Sequence, residues 1–346
     1  MRYFEVTKGR RFSAVRVGMV LALLLLPAAY GRTAHAVSCT TGAALAGDQR
    51  SALFDAAHQL GGAVLRGDAA ALKAATIPSV AGNFDGIAAT VQGLTAQLQG
   101  ATLTVTSLYG LNADDLKGSE DDVQFFCSVP GAPLLVTVTL SELPKGQFAL
   151  AILHATGVPQ AQQFALILQN TGTATPHWQL AGFFVRPLTM DGHDSTWFWQ
   201  QARVFKSRNQ PWSAFFYDQA ADYLARPADL FTSNNLQKLS RETAAVEPAG
   251  LPGKNPMMLP AGDRSFAITG LRADATLHAL DLRIDAKVES VSDPVTARKD
   301  ALTLMTALLQ QHPELRSNFH GLWVYESTAA GQTFAVEQPM SALVLP

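Results

Sequence analysis

Hydrophobic positions recur at helical spacing in the first third of the chain and alternate with polar positions directly afterwards. Between residues 47 and 99, apolar residues such as Leu53, Leu60 and Val64 lie four or seven positions apart, which places them on one helix face. From residue 101 to 185, six segments rich in β-branched and aromatic residues alternate between apolar and polar positions, as strands do. Helices followed only by strands predict an α+β fold, with the helices packed on a curved antiparallel sheet.

Residues 191–246 form a second pattern, which is helical and loaded with aromatic side chains. The predicted helices cover 196–207 and 211–226, and a further helix begins at Asn234. The pair contains Ala202, Ala214, Tyr217 and Ala220, and Pro227 follows its second helix. They make it similar to a single tetratricopeptide hairpin, and no second copy follows at that family's period of about 34 residues. We therefore expect one helical hairpin.

The last quarter of the chain predicts a separate small domain. Residues 247–262 are dense in proline and glycine, which is typical of a linker. Residues 263–346 then show two strands, a helix and two more strands, a ββαββ order. The helix has strong boundaries, because Asp293 can cap it and Pro294 occupies its first position.

Residues 37–190 resemble the NTF2-like, or cystatin-like, α+β fold. The likeness is carried by the RGDAAAL helix junction and the terminal hairpin FALILQN…WQLAGFFV, and it covers about 45–186. It implies a sheet that curls around a cone-shaped cavity, where enzyme members place a histidine, aspartate or tyrosine as base. His154 is then either a core histidine or a general base in such a cavity. The run SELPKGQFALAILHATG leaves a transthyretin-like β-sandwich as the alternative fold.

The first 36 residues predict an export signal. Basic residues such as Lys8 and Arg16 precede the apolar run VGMVLALLLLPAA, which is short for a membrane span. Ala34-His35-Ala36 follows as an A-x-A cleavage pattern, so we expect residues 1–36 to be a signal peptide. The mature chain would start at Val37, without a membrane span, in the periplasm or outside the cell.

Cys39 and Cys127 are the only cysteines of the sequence. An even number in an oxidising compartment predicts a disulfide between them. Two alternatives stay open from the sequence. Ala36-Val37-Ser38-Cys39 is a distant relative of a lipobox, in which Cys39 would carry a lipid anchor, and both residues can also be free thiols.

Composition excludes several classes of function. Hydrophobic residues make up 48% and charged residues 16% of the chain, which argues against disorder. A net charge of −2 gives no basic footprint for nucleic acid, which we do not expect as a partner. The sequence contains no G-x-S-x-G, H-E-x-x-H, P-loop, G-x-G-x-x-G or C-x-x-C motif, and it indicates no cofactor.

The segment Asp191-Gly192-His193-Asp194 is the best local candidate for chemistry. Asp191, His193 and Asp194 can ligate a metal, and His193 with Asp194 can form a base and its orienting group. The structural interpretation is stronger. The segment joins a strand to a helix, so Gly192 makes the turn and Asp194 or Ser195 caps the helix.

The aromatic series of the helical hairpin is the best candidate binding surface. Trp197, Trp199, Trp212 and Tyr217 could form a groove for an apolar peptide or a glycan. The alternative is that they form the buried seam between two packed helices.

Two functional hypotheses follow. The first is an exported, non-enzymatic module of the bacterial cell envelope that binds a protein, an apolar ligand or a glycan. The second is an NTF2-like enzyme of isomerase or hydrolase type that uses His154 or His193 as base. A cavity filled by its own side chains favours the module, and a cavity with convergent polar groups favours the enzyme.

Overall fold

The protein has the predicted α+β architecture, with its strands divided among three sheets. The computed structural model describes residues 37–275 and 279–343. The predicted signal peptide, residues 1–36, and the last three residues of the predicted small domain lie outside the described residues. In the part of the chain that the structure describes, no helix is both long and apolar enough to cross a membrane.

Helices occur before the first long strand, after the N-terminal sheets and within the C-terminal domain. They are α1 (Gly47–Leu65), α2 (Ala69–Ala74), α3 (Pro78–Ala81), α4 (Asp85–Leu94), α5 (Ser195–Ser207), α6 (Pro211–Ala225), α7 (Asn234–Ala244), α8 (Pro294–Gln311) and α9 (Leu315–Asn318).

Strands follow the alternating segments of the sequence. They are β1 (Ser38–Thr41), β2 (Thr102–Asn112), β3 (Val123–Ser128), β4 (Leu135–Leu140), β5 (Gln147–Thr156), β6 (Gln162–Asn170), β7 (Trp178–Pro187), β8 (Phe231–Ser233), β9 (Met257–Ala261), β10 (Arg264–Asp274), β11 (Asp281–Lys287), β12 (Gly321–Ser327) and β13 (Thr333–Pro339).

The first sheet has the order β1-β2-β5-β6-β7 and is antiparallel throughout. Its central strands are buried on both faces. Alternate residues such as Ala151 and Leu153 pack beneath α1, α2 and α4, whereas Leu150 and Ile152 point to the opposite face. Asp68 caps α2 by accepting a hydrogen bond of 2.9 Å from the Ala71 amide, as the sequence predicts.

The strands expected in a single curved sheet are divided between two, and this corrects the sequence prediction. β3 and β4 form a second, three-stranded sheet with the order β3-β4-β8, and this sheet covers the helix-free face of the first one. Alternating residues such as Val123, Phe125 and Cys127 are buried against that face. Alternation specifies which residues face a core, but not which strand is the neighbour, so the sequence could not reveal the division.

A disulfide joins the two N-terminal sheets. Cys39 of β1 is bonded to Cys127 of β3, with 5.1 Å between their Cα atoms, which confirms the predicted pairing. The described residues contain no free cysteine. A sulfur engaged in a disulfide cannot also carry a lipid, so neither the lipid anchor nor the free-thiol alternative holds in this structure.

The aromatic segment forms the predicted hairpin of α5 and α6, followed by α7. The short strand β8 between α6 and α7 was not predicted. It pairs with β4, through Phe231 opposite Val138 and Ser233 opposite Val136. Three residues are too few to show an alternation, so only the pairing reveals this strand.

The C-terminal sheet has the order β13-β12-β11-β10-β9, with α8 packed on one face. The expected linker, residues 247–262, is shorter than predicted, because Met257–Ala261 pairs with β10 as an edge strand. Pro260 made this segment resemble a linker in the sequence, although proline is tolerated in sheets at edge strands such as this one. The domain is therefore βββαββ, with β11 and β12 parallel on either side of the α8 crossover. Asp293 caps α8 as predicted.

The helical hairpin shares one hydrophobic core with the C-terminal sheet. Phe216 and Tyr217 of α6 contact Phe319 through ring centroids 6.2 and 5.7 Å apart. The Tyr217 hydroxyl donates a hydrogen bond of 2.6 Å to the Asn318 carbonyl, and the Asn318 amide donates one of 2.8 Å to the Ser213 hydroxyl. The hairpin therefore packs as part of the C-terminal core.

The disulfide should contribute strongly to stability. It closes a loop with a sequence separation of 88 residues. By the chain-entropy estimate, its removal in the Cys39→Ala/Cys127→Ala variant lowers the free energy of unfolding by about 4–5 kcal/mol. Urea denaturation of the variant and of wild type, with and without reductant, measures this. Equal midpoints for the variant and the oxidised wild type would contradict the prediction.

Candidate functional site

A cleft of about 1190 Å³ opens where the N-terminal sheet, the helical hairpin and the C-terminal sheet meet. Its walls come from the turn after α4, the β5–β6 turn, the segment after β7, one face of α6 and the end of β10. Glutamine is the commonest polar residue in these walls. The four glutamines are Gln97, Gln160, Gln162 and Gln219.

Helix α6 supplies the cleft's aromatic side chain. Gln219 and Tyr223 are four residues apart, so they lie on the same face of the helix. The Tyr223 ring is 43% exposed, and the Arg186 guanidinium lies 5.0 Å from its centroid. The buried Gln163 amide fixes the helix against β6 by donating a hydrogen bond of 2.6 Å to the Leu224 carbonyl. The position of Tyr223 is therefore set by the protein core.

The charged groups of the cleft are few and of both signs. Arg272 lines the cleft and donates a hydrogen bond of 2.6 Å to the Asp285 carboxylate. Asp191 and Asp274 lie on the same walls. A surface of amides, one tyrosine ring, two carboxylates and one guanidinium that is paired with Asp285 suits a neutral polar ligand better than a polyanion or a polycation.

The Asp191–Asp194 segment forms a tight turn at the edge of the cleft. The backbones of Met190 and His193 are joined by two hydrogen bonds of 2.9 Å. Asp191 and Gly192 between them have φ values of +49° and +74°, the left-handed region that glycine adopts without cost. Asp194 accepts a hydrogen bond of 2.8 Å from the Trp197 amide, which confirms the predicted helix cap. Asp191 and Gly192 line the cleft.

The His193 ring stacks on the Trp197 ring, with centroids 3.6 Å apart and planes 6° from parallel. This stacking holds the imidazole against the start of α5. His193 is not among the described residues that line the cleft. Its assignment as a base, with Asp194 as orienting group, stays a prediction, and so does a metal-binding role for Asp191, His193 and Asp194.

The four aromatic residues proposed for binding contribute mainly to the hairpin core. Trp212 and Tyr217 are buried, and Trp197 and Trp199 are half-buried against the same core. The Trp199 indole donates a hydrogen bond of 2.8 Å to the Glu242 carboxylate. The exposed member of the series is Tyr223. The sequence does not distinguish it from the other aromatic residues, because exposure within a helical aromatic run depends on the neighbouring domain.

His154 lies on a different surface of the first sheet. It is half-buried in β5, on the face that carries Ile152, and burial lowers the pKa of its imidazole. It is not among the described residues that line the cleft. His154 and His193 therefore belong to separate environments.

One group of side chains has the composition of a metal centre. Within residues 37–275 and 279–343, Asp281, His320 and Glu337 are the only three His, Cys, Asp or Glu residues found with ligand atoms all within 4.8 Å of one another. Asp281 Oδ1 is 3.0 Å from His320 Nδ1. Asp281 and His320 are 39 positions apart in the sequence, and no local motif connects them.

Two further carboxylates are buried away from the cleft walls. Burial raises the pKa of Asp218 to about 7, with the nearby Glu242 adding to the shift and the Arg203 and Lys206 charges opposing it. Burial likewise raises the pKa of Glu326 to about 7. Both Glu326 oxygens lack a hydrogen-bond partner in the described part of the chain. These groups change charge near neutral pH, so they connect stability to pH.

Glu326 should make the folded state less stable as the pH rises. Its carboxyl keeps its proton to about pH 7 in the folded state, against an ordinary pKa of 4.5 in the unfolded chain. The stabilisation is therefore complete below pH 4.5 and is lost on rising to about pH 7, by on the order of 3 kcal/mol. In urea unfolding, the free energy of unfolding of Glu326→Gln relative to wild type should increase between pH 5 and pH 8.

The matched control is Glu247→Gln, which changes an exposed carboxylate. Its difference from wild type should be small at both pH values. A gap between Glu326→Gln and wild type that stays constant from pH 5 to pH 8 would show that Glu326 is ionised in the folded protein.

No family model, curated protein or solved structure matches the chain.

Proposed function

We propose that the protein is an exported, non-enzymatic binding module whose ligand occupies the cleft beside α6. The cleft itself carries this proposal. Its volume of about 1190 Å³ exceeds the range of about 300–1,000 Å³ that is usual for drug-sized ligands. It therefore suits an elongated ligand of several units.

The lining favours a neutral oligosaccharide as ligand. The exposed Gln97 amide and the half-buried Gln219 amide can each donate and accept hydrogen bonds, which matches the dual character of sugar hydroxyl groups. Tyr223 adds an exposed ring on which the apolar face of a sugar can stack, while its hydroxyl remains available for hydrogen bonding. The few charges of the cleft, Asp191, Arg272 and Asp274, have both signs and do not select an ionic ligand.

The disulfide supports a location in an oxidising compartment. Such bonds persist in the periplasm and outside the cell and are rare in the cytosol of mesophiles. This agrees with the export signal expected from residues 1–36. An NTF2-like origin for residues 37–190 stays part of the proposal, supported by the order of helices before an antiparallel sheet.

The enzymatic alternative, an NTF2-like isomerase or hydrolase, has less support. Its two proposed bases, His154 and His193, are separate from the walls of the cleft. The sheet face that carries His154 is covered by the second sheet, whose side chains fill the space with residues such as Phe125 and Val138. A space filled by its own side chains favours the binding module.

Titration of the purified protein with soluble neutral oligosaccharides tests the proposal. Chito-, cello- and malto-oligosaccharides are suitable probes, and isothermal titration calorimetry is the readout. We expect one series to bind, and Tyr223→Ala to weaken binding by about 10-fold or more, since aromatic contacts contribute about 0.5–1.5 kcal/mol beyond buried area. Gln219→Ala should weaken binding as well, through lost hydrogen bonds.

Phe54→Ala is the matched control, because its ring lies on α1 and is 44% exposed, against 43% for Tyr223. It should bind like wild type. Chromatography of the sugar after incubation separates the two functions: an unchanged oligosaccharide supports a binding module, whereas shorter products show a hydrolase. Equal binding by Tyr223→Ala, Gln219→Ala and wild type would exclude the cleft.

A further inference from the structure

Three side chains with metal-ligand chemistry meet at one end of the C-terminal sheet. Asp281 is the first residue of β11, His320 immediately precedes β12, and Glu337 lies near the end of β13. These strands are direct neighbours in the order β13-β12-β11. Regular strand pairing therefore brings together residues that are far apart in the sequence, and holds them on a rigid framework.

Gly321 provides the space in which the two carboxylates converge. Gly321 lies opposite Pro339 of β13, and the next residue, Leu322, lies opposite Leu282 of β11. A Cβ atom at this position would lie 2.8 Å from Glu337 Oε1 and 3.0 Å from Asp281 Oδ1. Both oxygens therefore lie above the glycine, in the volume that any other residue would fill.

The group lacks positive charge for its degree of burial. Asp281 is 1% exposed and contacts the His320 ring. Glu337 Oε1 is buried and has no hydrogen-bond partner in the described part of the chain. Burial raises the pKa of Asp281 and of Glu337, and for Glu337 the nearby Asp281 carboxylate raises it further. A buried carboxylate and a half-buried carboxylate beside one imidazole are an arrangement that a cation would stabilise.

We propose that Asp281, His320 and Glu337 bind a divalent transition-metal ion, with zinc as the best match. Zinc accepts imidazole nitrogen together with carboxylate oxygen, whereas calcium and magnesium prefer sites made of oxygen ligands alone. None of the three residues lines the oligosaccharide cleft, although Asp274 of the cleft wall is the cross-strand partner of Asp281. The proposal does not depend on that binding function.

The spacing of the ligand atoms fits this assignment. Ligand atoms about 2.0–2.2 Å from a zinc ion are about 3.3–3.6 Å from one another in a tetrahedron. The three atoms here lie within 4.8 Å of one another, and the His320–Asp281 pair is 3.0 Å apart, so small side-chain rotations bring them into range. The His320 side chain is 52% exposed, which gives the ion a route from solvent. Three protein ligands leave the fourth position open for water or another small ligand.

Zinc titration of the chelator-treated, purified protein tests the proposal directly. Calorimetry with zinc chloride should show one binding event per chain, and zinc should raise the melting temperature, because binding stabilises the native state. Cobalt chloride should bind at the same site and produce visible absorption bands typical of nitrogen and oxygen ligands. A wild-type protein that binds neither ion overturns the proposal.

Single substitutions then assign the ligands. His320→Gln and Asp281→Asn should each weaken zinc binding by about 100-fold or more, since even partners outside the ligand shell contribute about 10–100-fold. His312→Gln is the matched control, because this half-buried histidine of the same domain contacts the Trp212 ring instead, with centroids 3.8 Å apart. Equal zinc affinity in His320→Gln and wild type, or an equal loss in His312→Gln, would place the ion elsewhere.

Gly321→Ala tests the space above the glycine. The backbone at Gly321 does not adopt the left-handed conformation, so the strain of an alanine comes from its contacts with the two carboxylates and with the Gln338 carbonyl, 2.9 Å from the added Cβ. We expect this variant to unfold cooperatively, as circular dichroism monitors, but to bind zinc at least about 10-fold more weakly. A folded Gly321→Ala protein with wild-type affinity would overturn the assignment, and if the variant does not fold, the comparison of His320→Gln with His312→Gln decides.

Discussion

Helix α6 is the element on which the arrangement of the described chain depends. It is buried on almost every side, because ten of its fifteen residues are buried. A helix that is hydrophobic all round needs partners on opposite faces. The first sheet supplies one through the bond from Gln163 to Leu224, and the C-terminal domain supplies the other through the bond from Tyr217 to Asn318. The cleft exists because Gln219 and Tyr223 are on the strip that neither partner covers.

The sequence predicted the elements of the fold well and their partners less well. Alternation identified β2 to β7, and side-chain caps placed the starts of α2, α5 and α8. Both signals are local, so they can be recognised without knowledge of tertiary contacts. β8 and β9 were missed because a three-residue strand has no measurable period and because Pro260 resembles linker sequence. Alternation shows which residues of a strand face the core but not which strand lies beside it, so it could not predict that β3 and β4 are separate from the first sheet.

The candidate sites were less predictable than the fold. The cleft draws its walls from five segments between Ala96 and Ala275, so it exists only after the domains pack. Tyr223 is exposed, whereas Trp212 and Tyr217 are buried. All three belong to the same aromatic helical run, so the run alone does not show which of them is exposed. The Asp281, His320 and Glu337 group depends on strand order in the same way. The disulfide was predictable because two cysteines allow a single intramolecular pairing.

The placement of β8 has a consequence for how the chain folds. β8 follows α6 in the sequence, yet it forms the edge of a sheet whose other strands, β3 and β4, end at Leu140. During synthesis or translocation from the N-terminus, one row of backbone amides and carbonyls of β4 therefore stays unpaired until β8, more than 90 residues later, is available. Unpaired strand edges recruit strands from other chains. The risk of aggregation is accordingly concentrated in the interval before the helical hairpin docks and delivers its strand.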